Sequence, residues 1–443
     1  MKNYGFCIGL LSAVAPVLIV ISSNFYSNAV FAQERPAFVE LASVEPDSGD
    51  EDLKKLAGYF ENVRIVGLGE STHGTREFTT MRHRIFRYLV ENHDFNTFFL
   101  EADYANCLRV DRYINGAEDD VKEAVSEIGL WPWSTTEMVD LVEWMRDYNG
   151  QQPKRNLSFV GVDAQQFRTT LTEIDQLLEK YGLPVTDTST YVMRSDEEFM
   201  VLKKKKHLSP YMDLILEKEN VQTLNFSDAD RTRYEILIRH FRQIIEMQTE
   251  RKSQKQSQLR DNHMAVNMLS RMESDLDSKG IYWAHNGHMF NLSINDFGTS
   301  KWSGTAGGYL KEVMGDEYFS LGFDFDEGSF NAYYPDENGI ELEKKKYILG
   351  EVSVGPSRDE TLAATYRDLQ SPAFIDYAQL PTEEYLYMNY IGATFTPGNE
   401  EHKKSLVRYN VLGGKTSFDG MVLIRKTTAT HLLRHEKGDN SGD

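Results

Sequence analysis

Five apolar runs along the chain share one shape: a short β-type stretch that ends on a polar, ionisable residue. They are "RIVGLGE" from Arg64, "NTFFLEA" from Asn96, "LSFVGVDA" from Leu157, "GIYWAHNGH" from Gly280 and "YFSLGFDFDE" from Tyr318. Segments with helical periodicity lie between them. Strands alternating with helices predict an α/β fold, a mostly parallel central sheet flanked by helices. Ligands of such sheets sit beyond the carboxyl ends of the strands. Those ends carry Glu70 and His73, Glu101, Asp163, His285 and His288, and Asp324. The pattern alone proposes a site.

The helix after the first run sharpens this. At about 100° per residue, Phe78, Ile85 and Leu89 form one stripe, with Met81 and Phe86 at its edges. Arg82 falls inside the stripe, whereas Arg84 and Arg87 point away from it. A cation on the apolar side of a helix needs an anionic partner, and the strand-end acids can supply one. Residues 165–278 are poor in strands. Helical patterns run through Leu171–Lys180, Asp230–Glu250 and Ser257–Leu276, which reads as a helical insertion over the cleft. From Asn331 the texture changes. "NAYYPDENGIELEKKKYIL" reads as a hairpin turning at "ENG", and "FDGMVLIRK" as a closing strand that rejoins the sheet. One domain is expected over 33–443, with 165–278 inserted in it.

Composition then narrows the class of partner. The formal charge is −20, and such a surface repels nucleic acid and anionic lipid. The lysine runs at Lys203–Lys206 and Lys344–Lys346 are short and read as solvated faces. The N-terminus reads as a signal peptide of residues 1–32. Lys2 opens it, an apolar run extends from Phe6 to Ile21, and "NAVFA" ends in small residues at Val30 and Ala32. The expected protein is exported, to periplasm or medium, with no membrane attachment after the signal is removed. Of the two cysteines, Cys7 leaves with the signal, so Cys107 has no partner for a disulfide and reads as a small core residue.

The stretch "VGLGESTHGTREF" contains the candidate chemistry. Gly69 and Gly74 have P-loop separation, but Thr75 stands where the lysine belongs and Glu70 would put a carboxylate in the phosphate cradle. The dinucleotide fingerprint fails at Thr72. No nucleophile elbow is present, and Ser71 is in the wrong frame for one. Glu70 and His73 remain, with "AHNGH" supplying His285 and His288 from another strand end. Two chemistries suit this set. A neutral histidine, fixed by a carboxylate, can draw a proton from water; alternatively, histidines and carboxylates can hold a divalent metal that activates the water. The spacing leaves both open, although His285 and His288 do not show the helical i, i+4 pattern of zinc proteases.

At this point the residues resemble the erythromycin esterase family. "GLGESTHGTREF" with "MRHRIFRYLVENHDFNTFFLEADY" looks like its leading motif, and "WSTTEMVDLVEWMRDYN", "LSFVGVDAQ", "RDNHMAVNM" and "YWAHNGHM" resemble later blocks in the same order. The resemblance implies hydrolysis of a carboxylic ester, the macrolactone of macrolide antibiotics, without a serine nucleophile and without a required cofactor. It also implies an α/β fold with a helical subdomain over the cleft. Carried over by position, His73 is the general base and Glu70 its partner, with Arg82, Glu101, His285 and His288 completing the catalytic set. Arg260 and Asp261 fit the helix near the site. Asp163 and Arg260 are expected to face substrate. Trp131 and Trp133 either line an apolar cleft or belong to the core. The implied partner is a small-molecule ester. Two rivals remain: a metal-dependent hydrolase using the same residues, and a non-catalytic relative that only binds a ligand.

Overall fold

A computed structural model describes residues 38–152, 156–182, 225–291, 304–335, 347–369, 372–380, 387–395, 406–408 (backbone only) and 417–433. The proposed signal segment, both lysine runs and the "ENG" turn lie outside the described residues.

Each of the five apolar runs contains a strand. In chain order the strands are β1 (Phe38–Glu40), β2 (Ile65–Leu68), β3 (Thr97–Asp103), β4 (Ser158–Asp163), β5 (Gly280–Trp283), β6 (Tyr318–Pro335), β7 (Tyr347–Val354), β8 (Ala373–Asp376), β9 (Tyr387–Asn389), β10 (Leu406–Arg408) and β11 (Gly420–Thr427). The main sheet runs β1-β8-β11-β6-β2-β5-β3-β4. From β11 to β4 all neighbours are parallel, while β8 pairs antiparallel with β11 and with β1. The closing strand therefore rejoins the sheet beside β6. The antiparallel edge of β8 and β1 has no counterpart among the apolar runs, because both strands are short and carry no distinct pattern. The outer half of β6 pairs antiparallel with β7, as a hairpin would, and β9 pairs with β10 in a small separate sheet.

Strand alternation splits the core into two layers. Val66, Leu68, Phe98, Leu100, Ile281 and Trp283 pack on one face with the helix Arg76–His93. Ile65, Phe99 and Tyr282 pack on the other, against the helices Ser253–Ser274 and Ala306–Met314. A third cluster joins the helices Phe167–Lys180 and Asp228–Thr249 through Phe167, Leu177, Leu237 and Phe241. These two helices and Ser253–Ser274 lie in the expected helical stretch. The described residues cluster as one unit. No helix among the described residues is long and apolar enough to cross a membrane.

The helix Arg76–His93 differs from its stripe in one respect. Arg84, read as facing away from the core, is 2% exposed. Its guanidinium binds both oxygens of Asp52, at 2.9 and 2.5 Å, and the Ser43 carbonyl at 2.8 Å. Residues 43–52 wrap the outer face of this helix, so both faces are covered. Cys107 is buried in the core, and burial holds its thiol well above the ordinary value.

Candidate active site

The turn after β2 begins with a close approach. An added Cβ on Gly69 would stand 2.1 Å from the Asn286 side-chain oxygen, so only glycine fits there. Beyond it, Glu70 is buried and fully engaged. Oε1 lies 2.5 Å from His73 Nδ1, and Oε2 accepts from Arg82 Nη2 at 2.7 Å and from Trp283 Nε1 at 3.2 Å. Arg82 also donates through Nε to the Gly69 carbonyl at 2.9 Å, and its guanidinium lies 4.1 Å over the Trp283 ring. Burial alone would raise the Glu70 carboxyl, but Arg82 and His73 reverse this and hold it below its ordinary value. Burial lowers Arg82 to about 10 against the pull of Glu70, which leaves it charged at neutral pH. His73 is partly exposed. With Nδ1 held by Glu70, it presents Nε2 as its free nitrogen.

A second network forms where β3, β4 and β5 end. Arg260, from the helix Ser253–Ser274, contacts Asp163 through Nε at 3.0 Å and Nη2 at 2.6 Å, and Glu101 Oε1 through Nη2 at 2.5 Å. His288 lies between Asp261, 2.7 Å from Nδ1, and Glu101, 3.2 Å from Nε2. Burial opposes its charge, yet the Asp261 and Glu101 carboxylates push it up to about 10, so it is an imidazolium at neutral pH. Burial would raise Glu101, and the His288 and Arg260 charges hold it well below the ordinary carboxylate range. The other oxygen of Glu101 accepts the His285 backbone N–H at 2.9 Å.

His285 connects the two networks. Its ring centroid is 5.3 Å from that of His73. Its Nδ1 accepts from the Gly287 backbone at 3.1 Å, which places the proton on Nε2, 3.4 Å from the Ser71 carbonyl. Burial first, then the nearby His73, lowers it to about 3, so it is neutral. The six residues expected to be catalytic are thus brought together, with Asp163 and Arg260 beside them. The tryptophans separate. Trp133 is buried, donates to the Glu101 carbonyl at 3.3 Å and meets His73 edge-on at 6.1 Å. Trp131 is half-buried and packs 6.0 Å from Tyr333.

The sequence model of the erythromycin esterase family matches residues 90–427, more than half of the chain. The chain belongs to the erythromycin esterase family. It is 22% identical over 324 residues to erythromycin esterase type II of Escherichia coli, which spans 66% of this chain and 76% of that protein. A Bacillus cereus protein of known crystal structure shares its fold with a TM-score of 0.69 at 24% identity, over 90% of this chain and 97% of its own. An erythromycin esterase variant solved in its open conformation gives a TM-score of 0.60 at 17% identity, over 90% of this chain and 100% of its own. These two likenesses show the fold. The family match begins after Glu70, His73 and Arg82, so the account of those three rests on their own geometry.

Several contacts that build the site cannot be read from the family motifs or the strand pattern. Asn286 binds across the sheet: its Nδ2 donates to the Phe323 carbonyl at 2.8 Å, and its Oδ1 accepts from the Phe323 N–H at 3.2 Å. It acts as a piece of backbone between β5 and β6. The segment after β9 closes over the first turn. Ile391 and Gly392 donate to the Ser71 carbonyl at 2.7 and 3.2 Å, and the Gly392 carbonyl accepts from the His73 N–H at 3.3 Å. Asn389 anchors that segment to Asp324, whose carboxyl burial pushes up to about 7. Among the described residues, no group of three or more His, Cys, Asp or Glu is positioned to hold a metal ion.

The raised His288 has a consequence for stability. Its folded value is about 10, against about 6.5 for an unfolded histidine. The stabilisation is whole below about pH 6.5 and fades as pH rises towards the folded value, at up to about 1.4 kcal/mol per pH unit. His288→Gln is expected to lack this slope. Chemical denaturation of both proteins between neutral and alkaline pH checks it: the stability gap should narrow as pH rises.

Proposed function

We propose that this protein hydrolyses a carboxylic ester, with the lactone ring of macrolides such as erythromycin as its substrate class, using water activated by His73. The Glu70–His73 contact is the observation that carries the reading. A carboxylate on Nδ1 fixes the tautomer and leaves Nε2 to accept a proton from water. Hydroxide adds to the ester carbon, and the carbonyl electrons move onto oxygen. Collapse of that intermediate breaks the bond to the leaving alcohol, which takes its proton back from His73. Arg82 does not reach the cleft; it holds Glu70 ionised. Glu101 holds His285, His288 and Arg260 in place, and Asp163 fixes Arg260, whose Nη1 lies beside His288. The family membership supports ester hydrolysis, and the proposed export signal would direct the activity outside the cytoplasm. The test is mass spectrometry of macrolides and simple esters incubated with purified protein. Gain of one water by the ring-opened macrolide supports the reading; unchanged macrolides and esters remove it.

Activity is expected to survive dialysis against a strong chelator. Glu70 and His288 have their polar atoms committed to protein partners, and the mechanism needs only protein groups. Loss of turnover on chelation, restored by one divalent ion, would favour the metal-dependent rival.

A further inference from the structure

Hydrolysis by activated water builds negative charge on the former carbonyl oxygen, and a hydrogen-bond donor aimed at that oxygen is among the largest contributions to such catalysis. Most of the N–H donors in the expected catalytic set are committed elsewhere. Arg82 is 0% exposed behind Glu70. Both His285 nitrogens face backbone groups, and both His288 nitrogens face carboxylates. Arg260 keeps Nη1, 3.3 Å from His288 Nε2, where two cations meet and no hydrogen bond forms between them.

One further donor lies beside His285 and Gly287. Tyr390, on the segment after β9, sets its ring edge-on to His285 with centroids 4.5 Å apart and planes at 85°. Its hydroxyl lies over Gly287: a Cβ added there would stand 2.1 Å from the phenolic oxygen, so the glycine is what lets the phenol approach. The ring is half-buried, and its hydroxyl forms no hydrogen bond with another described residue. Burial pushes the phenol up to about 12, with the Asp261 and Glu101 charges adding to it. A phenol in that state keeps its proton at neutral pH and has it available to donate in a hydrogen bond. The backbone beside it is fixed, because Ile391 and Gly392 bond to the Ser71 carbonyl.

We propose that Tyr390 is a catalytic residue whose phenolic O–H donates a hydrogen bond to the oxyanion of the tetrahedral intermediate, alongside Arg260 Nη1. The assignment rests on the ester-hydrolase reading and adds to it the group that receives the developing charge. The proton stays on the phenol throughout, so Tyr390 lowers the barrier without taking part in the proton transfers of His73.

Two readouts on the full protein test it, and one does not need turnover. Tyr390→Phe keeps the ring against His285 and removes only the hydroxyl. On an ester the wild type hydrolyses, kcat should fall by about 10²–10³-fold, with KM little changed, because the donor acts in the transition state. A variant that merely displaced the segment would raise KM as well. Calorimetric binding of phenyl methylphosphonate, a tetrahedral monoanion, should weaken by about 10–100-fold in Tyr390→Phe and persist in His73→Ala. Unchanged kcat, or equal phosphonate affinity in wild type and Tyr390→Phe, overturns the assignment. If no ester is turned over but phosphonate binding still depends on Tyr390, the donor stands and the esterase reading falls. If the wild type binds no phosphonate, the donor site falls.

Discussion

His73→Ala is expected to yield a folded protein whose kcat is about 10²–10⁴-fold below wild type, the usual cost of losing a general base. The fold should tolerate the change because His73 is partly exposed and makes one side-chain hydrogen bond, to Glu70. Glu70 keeps its other partners, Arg82 and Trp283. No neighbour can take over the role. His285 has its acceptor nitrogen occupied by the Gly287 N–H, and His288 is already protonated. Steady-state kinetics beside circular dichroism measures both halves of the claim. Near wild-type kcat in a folded variant would move the base elsewhere.

Arg82→Ala should act chiefly on stability. The pair with Glu70 is buried on both sides, at 0% and 1% side-chain exposure. Removing one partner from such a pair typically costs about 3–5 kcal/mol, because the other charge is left in a medium that cannot solvate it. The truncation also removes the guanidinium from over Trp283. Glu70 would then gain a proton more readily and hold His73 less well, so activity should fall with stability. Combining Arg82→Ala with Glu70→Gln should recover part of the lost stability, since the stranded charge is gone. Urea denaturation of the wild type, Arg82→Ala and the double variant measures this. A loss below about 1 kcal/mol in Arg82→Ala would show that the pair is not buried as described.

How much of this was legible in the sequence depended on how local the signal was. The parallel strands could be read because each is a short apolar run, and their ionisable ends follow from strand polarity alone. Arg82 could be read from a single helix: a cation within an apolar stripe required an acid, and Glu70 answers it. Arg84 could not, because its partner Asp52 lies on a segment that covers the outer face, and periodicity reports only which residues share a face. Asn286 is similar. It looks like any loop asparagine until Phe323 on β6 is set beside it. The segment holding Tyr390 was the least legible. It reaches the site through backbone groups of Ile391 and Gly392 bonded to Ser71, a contact that spans most of the chain and depends on carbonyls rather than residue types.

The central claim is that water, not a protein group, attacks the ester carbon. A single-turnover reaction with enzyme in excess, run in water enriched in heavy oxygen, tests it directly. The account predicts that the carboxylate released in the first turnover carries the heavy oxygen, with Glu70 and Glu101 unlabelled. Unlabelled product in the first turnover, with label later appearing in a protein carboxylate, would mean that a carboxylate attacks first and would contradict the role given to His73.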